Sequence, residues 1–289
     1  MKRILLRALA TITLCYLAPA MPAQPTAAAF KFPPADLMNI GVYYYPEAWP
    51  AAQWPRDMAN IKKLGMEFGH LGEFAWAFME PTEGHFDFAW LDRNVALAAE
   101  QGLKVVLCTP TPAPPIWLTE AHPDVLMVDA SGRRQVHGTR QHACWSVETY
   151  RRYVAKIVGE LGRRYGKDAR VWGWQLDNEL THYGKEPCFC DACQRKFQAW
   201  LKNKYGEIAA LNRDWGNAFW SQLYQRFDQI RLPNTREFVA QFNPHHMLDA
   251  QRWFDAVTSG RPLGRRRSTI SLGRASSSTT PCPHRMSRG

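Results

Sequence analysis

The chain has 289 residues, of which 46% are hydrophobic and 21% charged, enough apolar surface for a large core and too much for disorder over the whole length. The formal net charge of +10 would suggest a nucleic-acid partner, but Lys2, Arg3, Arg7 and the seven arginines of residues 256–289 carry all of it, and residues 30–255 are neutral overall. The part expected to fold is not basic overall, no nucleic-acid partner is expected, and the cluster Arg261, Arg265, Arg266 and Arg267 reads as solvated charge.

In chain order, Lys2 and Arg3 precede the apolar stretch Ile4 to Leu17. Small-residue sites follow at Ala18-Pro19-Ala20 and Ala27-Ala28-Ala29, the pattern of a secretory signal peptide over residues 1–29. An exported protein, periplasmic or extracellular, is expected. The apolar stretch falls short of the roughly 20 residues of a membrane span, and no later run approaches that length. After an Ala/Pro-rich joint, "NIGVYYYPE" (39–47) predicts a strand ending in a turn, and "QWPRDMANIKKLG" (53–65) a helix stopped by Gly. The alternation continues with a strand at 66–74, an amphipathic helix at 86–102, a strand at 103–109, the Pro-rich loop "PTPAPPIW", a helix from about Val147 to Tyr165, and "VWGWQLDNE" (171–179) as a fourth strand, apolar on both faces. Helical segments are expected to fill 190–255.

Strands alternating with helices predict a parallel α/β sheet, doubly wound or closed as a (β/α)8 TIM barrel. No Gly-rich phosphate fingerprint follows any strand, whereas acids, aromatics and prolines crowd the strand ends, which favours the barrel. Four strands, about half a barrel, fall within residues 30–255. Residues 256–289 then turn to Ser, Arg, Pro and Gly, a composition that predicts a disordered basic tail. That tail is either a natural extension or the out-of-frame end of a truncated gene.

The chemistry concentrates at the end of the fourth strand. Glu179 follows Asp177 and Asn178, and a carboxyl group aimed into the cavity of a barrel's strand ends suits proton donation to a leaving oxygen, with the neighbouring amide holding a hydroxyl. As a tripeptide, Asp-Asn-Glu is also compatible with a helix N-cap. Tyr43, Tyr44, Tyr45, Trp49, Trp76, Trp117, Trp172 and Trp174 lie in or near strand ends, and such rings beside carboxylates suit sugars, although most are expected to pack the barrel. Three cysteines in "CFCDAC", Cys188, Cys190 and Cys193, have the short spacing of structural zinc ligands and leave a fourth to find; Cys144, in a loop at the same end of the barrel, is the best candidate. Disulfides are the alternative in an exported protein, and Cys108 reads as a core residue.

The motifs "YYYPEAWP", "GEFAWAFMEPTEGHFDFAWLD", "VVLCTPTPAPPIWL", "GTRQHAC", "WGWQLDNE", "CFCDAC" and "LNRDWGNAFWSQ" together resemble the N-terminal catalytic barrel of glycoside hydrolase family 42, the β-galactosidases, over about residues 38–255. The resemblance implies a retaining hydrolase acting on terminal β-D-galactosyl residues of oligosaccharides or plant cell-wall galactan fragments. In it Glu179 matches the general acid/base, Asn178 the substrate-binding amide and Arg140 a galactose contact. It also implies a Zn2+ site on Cys144, Cys188, Cys190 and Cys193, and a homo-oligomer for a full-length chain. Two departures stand out. No residue matches the nucleophile that retention requires about 5 Å from the acid/base, so little or no hydrolysis is expected of this chain. His70 stands where many relatives carry Arg, which exchanges a fixed charged fork for a titratable ring. Recruitment of Glu47, Glu73, Glu80 or Asp177 as nucleophile is not expected; each reads as a hydrogen-bond partner within the barrel. The remaining readings are another retaining glycosidase of the same barrel clan, and a non-catalytic carbohydrate-binding or pseudogene-like fragment.

Overall fold

The computed structural model describes residues 39–138, 140–179, 187–234 and 243–259. The expected signal peptide and the tail beyond residue 259 lie outside the described residues. The elements are β1 (Gly41–Tyr43), α1 (Trp54–Lys63), β2 (Phe68–Leu71), a short α2 (Trp76–Met79), α3 (Ala89–Glu100), β3 (Lys104–Cys108), a short α4 (Ile116–Ala121), α5 (Glu148–Tyr165), β4 (Val171–Gln175), α6 (Asp191–Tyr205), α7 (Ile208–Trp215) and α8 (Pro244–Ser259). The strands form one parallel sheet in the order β1-β2-β3-β4, with Val42 opposite Gly69, Gly69 opposite Val105, and a register shift at Val105/Val106 where β4 joins. Sequential parallel strands with helical crossovers make this a partial (β/α) barrel.

Local chemistry accounts for the breaks between elements. At Gly102 the chain takes φ +66°, a left-handed conformation open to glycine, and this ends α3 and turns the backbone into β3. One face of the sheet carries Leu71, Val105, Leu107 and Val171, all buried in a single apolar cluster with Met58 and Ile61 of α1, Leu91, Val95 and Ala98 of α3, and Ile157 and Leu161 of α5. Each such side chain contributes about 1.5–3 kcal/mol when fully buried. On the inward face the sheet curls far enough for Tyr43 on β1 to donate to Gln175 Oε1 on β4 at 3.3 Å. Below that contact, the Phe68 and Trp172 rings lie 6.2 Å apart and Lys104 Nζ sits 4.8 Å over Trp172.

Four differences from the sequence reading have physical causes. β4 is half-buried from Trp172 to Gln175 rather than fully buried, because it is an edge strand of the sheet. The Pro-rich loop contains α4, which starts where Pro115 supplies an extended residue before Ile116. Residues 216–234 are not continuously helical: Gly216, left-handed at φ +67°, stops α7, and only single 3-10 turns at Phe219–Ser221 and Phe227–Gln229 follow. Finally, α8 continues past residue 255 to Ser259, since Val257 still packs against the core, so the helix takes in the first four residues of the expected tail. Among the described residues, no helix is long and apolar enough to cross a membrane.

Candidate active site

β4 leaves the sheet at Gln175, and the next four residues carry two carboxylates and an amide into the concave end. Asp177 and Glu179 are both left-handed, at φ 59° and 47°, a conformation that costs an L-residue about 1–2 kcal/mol. Contacts to the β3 end hold the first of them: the Asp177 N–H donates to Thr109 Oγ1 at 2.8 Å, and its Oδ1 accepts from Asn178 N at 2.9 Å. Gln175 Nε2 reaches back to the Asp177 carbonyl at 3.1 Å and to Glu73 Oε1 at 3.2 Å. Asp177 is therefore a buried hydrogen-bond hub, and Glu73, which also accepts from the Tyr45 hydroxyl at 2.5 Å, is another.

Glu179 is different. Its carboxylate is about one-third exposed and meets Arg140 Nη2 at 3.1 Å. With the amide of Asn178 oriented to satisfy both ends, its nitrogen donates to Glu73 Oε1 at 3.1 Å and its oxygen accepts from Arg140 Nη1 at 3.2 Å. The Arg140 guanidinium lies 5.5 Å from the centre of the Phe74 ring, and Phe74 stacks on Tyr45 at 6.3 Å. A continuous polar path thus runs Tyr45, Glu73, Asn178, Arg140, Glu179. A half-exposed ion pair of this kind contributes about 0–1 kcal/mol to stability, so its consequence is the orientation of Glu179 rather than the strength of the fold.

His70 lies beneath this path. It is buried, its ring 4.2 Å from Tyr43 edge to face, and burial lowers its pKa while the nearby Glu73 carboxylate and Gln175 side chain act against that shift. It forms part of the site's floor and does not project toward solvent. Glu80 is wholly buried and structural: Trp76 Nε1 at 3.0 Å, Gly84 N at 2.9 Å and Lys156 Nζ at 3.4 Å surround it. For Glu47, burial raises the carboxyl pKa.

The four cysteines converge. Cys144, Cys188, Cys190 and Cys193 are buried, all carry free thiols, and their sulfurs lie within 4.8 Å of one another, with Cys144 to Cys193 at 3.4 Å and Cys144 to Cys190 at 3.7 Å. Four thiolates about a tetrahedral zinc sit about 3.8 Å apart, so the set fits the ion as it stands. None of the four is paired in a disulfide. Backbone N–H groups of Val128 and Ser146 point at Cys188 Sγ and Cys144 Sγ at 3.3 and 3.4 Å, and Cys190 occupies the N-cap position of α6, where the helix dipole favours negative charge. Hydrogen bonding from Cys144 holds the Cys188 and Cys190 thiols below the ordinary range, while the shared protons push Cys144 and Cys193 above it. Cys108 is separate, buried at the end of β3, where desolvation raises its pKa.

A family model described as beta-galactosidase, that of glycoside hydrolase family 42, matches residues 43–260. The chain belongs to this family. Beta-galactosidase BgaA of a Thermus species is 47% identical over 214 residues, 74% of this chain and 33% of the relative, and a beta-galactosidase of Thermus thermophilus is 45% identical over the same length. Among solved structures, the polyextremophilic beta-galactosidase of Halorubrum lacusprofundi superposes with a TM-score of 0.73 at 40% identity, covering 76% of this chain and 33% of that one. The catalytic domain of a Paenibacillus polymyxa beta-amylase shares the fold, with a TM-score of 0.58 at 17% identity. The chain spans about one third of the length of the curated relatives it matches.

Within this family-42 barrel, Glu179, Arg140 and Asn178 are brought together, the cysteine quartet is brought together, and His70 is set below both Tyr43 and the Glu73 carboxylate. Sequence reasoning missed Gln141, whose Nε2 donates to the carbonyls of both Asn178 and Glu179 at 2.9 Å, and Thr109, which anchors Asp177. The adjacency of Gln141 to Arg140 was the available signal. For Thr109, nothing in its own segment foretold a partner 68 residues away.

Proposed function

We propose that this chain carries the acid/base side of a retaining β-galactosidase site, with Glu179 as general acid/base and Arg140 and Asn178 as galactose contacts. The observation that supports it most is the part-exposed Glu179 carboxylate held by Arg140 at 3.1 Å, at the C-terminal end of β4. In such a site Glu179 gives its proton to the glycosidic oxygen as the aglycone departs, and the recovered carboxylate then takes a proton from the water that releases the sugar. Asn178 and Arg140, already hydrogen-bonded to each other, present N–H donors to the ring hydroxyls. The ligands read for this site are β-galactosides, including oligosaccharides and galactan fragments.

Cys144, Cys188, Cys190 and Cys193 would hold Zn2+, which would supply a structural cross-link between the segment that follows Arg140 and the N-terminal end of α6, and no reaction chemistry. The signal-like segment 1–29 supports export, and a homo-oligomer is the family expectation for a longer chain.

Calorimetric titration with galactose and with β-galactosylamine, whose anomeric nitrogen stands where the leaving oxygen would be, tests the reading. Arg140→Ala is expected to weaken both ligands. Glu179→Gln is expected to weaken the amine at least 10-fold relative to galactose, about 1.4 kcal/mol. A folded chain that takes up neither ligand, or whose amine affinity is indifferent to Glu179→Gln, refutes it.

A further inference from the structure

The loop that carries Arg140 does more than supply a cation. Gln141 is itself left-handed, at φ 59°, its N–H donates to the Pro112 carbonyl at 2.6 Å, and its Nε2 forks onto the carbonyl oxygens of Asn178 and Glu179, both at 2.9 Å. Three residues further on, Cys144 is locked into the sulfur quartet, its N–H bonded to the Val125 carbonyl at 2.7 Å. Gln141 therefore stands between a fixed point of the fold and the two peptide units that bear the amide and the acid. We infer that Gln141 is a positioning residue for Glu179: by gripping the Asn178 and Glu179 carbonyls it holds the left-handed backbone that aims the Glu179 carboxylate at Arg140. The inference rests on the proposed role of Glu179 for its catalytic meaning, but the geometry it describes stands or falls separately.

The chemistry of the fork is specific. Two carbonyl oxygens converging on one side chain need a donor with two hydrogens and no charge requirement, which the carboxamide of Gln supplies. Leu of similar reach removes both donors and leaves two carbonyl oxygens without their partner. Glu at the same position would set a carboxylate against two carbonyls, so it keeps the shape and loses the function. If Gln141 served only to brace its own loop, both substitutions would lower stability and leave the Arg140 to Glu179 pair as it is.

The experiment uses the full chain with isotopically labelled arginine and follows the side-chain N–H resonance of Arg140, assigned by its loss in Arg140→Lys. Glu179→Gln defines the position of that resonance when the pair is absent. In Gln141→Leu and Gln141→Glu the resonance is expected to move at least half of the way toward the Glu179→Gln position, with the thermal midpoint of unfolding recorded alongside. A resonance that stays at its wild-type position in either variant overturns the positioning role, whatever happens to the midpoint. A resonance unmoved by Glu179→Gln shows that no pair exists in solution; it overturns the inference together with the site geometry of the proposed function, and is read from a different variant.

Discussion

Protonation of His246 should limit the acid stability of the helical layer. Its ring is 3% exposed, stacked on Trp215 at 4.7 Å and 20° and on Phe197 at 6.0 Å and 6°, and its Nε2 donates to the Arg231 carbonyl at 2.7 Å. Burial holds its pKa at about 4, against an ordinary value of 6.5, even though the Arg231 hydrogen bond and Asp249 pull the other way. Between those two values the unfolded chain binds a proton that the folded chain refuses, so stability is complete above pH 6.5 and falls as the pH drops toward 4. At about 1.36 kcal/mol per pH unit, the interval amounts to about 3 kcal/mol. Urea unfolding followed by tryptophan fluorescence at several values between pH 7.5 and 4.5 measures it, with His246→Gln as the reference that keeps an N–H donor and cannot titrate. The difference in unfolding free energy between wild type and variant should shrink by most of that amount toward pH 4.5. Parallel stability curves across the range would falsify the assignment.

Three further outcomes test other parts of the structure. Cys193→Ser should lower the zinc content measured by plasma mass spectrometry from about one ion per chain toward zero, and depress Tm by more than roughly 5 °C, since structural zinc contributes on the order of 10 kcal/mol. Glu80→Leu should destabilise the chain by about 2–4 kcal/mol in urea titrations, because it strands the buried Trp76 and Gly84 N–H groups, and Lys156→Met should cost about 1–3 kcal/mol, because it leaves the wholly buried Glu80 carboxylate without its cation. Gly41→Ala places a Cβ 2.4 Å from the Phe68 ring and should cost about 1–3 kcal/mol, a loss that Phe68→Leu in the same chain should largely relieve.

The sheet and its crossovers were legible because parallel strands carry unbroken apolar runs and the helices between them carry a periodic stripe: "LKVVLCT" yielded β3, and the residues from about Val147 to Tyr165 yielded α5. Boundaries were less legible. The strand expected to reach Glu179 ends its ladder at Gln175, since two left-handed residues follow that no apolar pattern announces. The convergence of Cys144 on "CFCDAC" was legible from ligand number and loop placement, whereas the ion pair of Arg140 with Glu179 was not, because the family motifs single out both residues without pairing them. Irregular chain such as 216–234 was not, because Leu223, Tyr224 and Phe227 alternate with polar residues as a helix face would, while Gly216 and Pro233 set the actual path.

The left-handed residues explain how a strand end becomes a site. Along an extended strand successive side chains point to opposite faces, so Asn178 and Glu179 would be separated by the sheet if β4 simply continued. Both nevertheless reach the same guanidinium, at 3.2 and 3.1 Å from Arg140. Positive φ at Asp177 and again at Glu179 breaks the alternation and turns both groups to one side. Among the described residues, five non-glycine positions have positive φ, and Gln141, Asp177 and Glu179 are three of them, each tied to another of the set or to the β3 end by a hydrogen bond of 2.8–2.9 Å. At about 1–2 kcal/mol apiece, such conformations persist only where surrounding contacts over-determine them. The contacts that do so come from Thr109 and Gln141, in loops that the β3 end and the cysteine quartet hold in place. The rigidity of those two anchors, rather than any preference of the Asp-Asn-Glu segment itself, is what aims the acid.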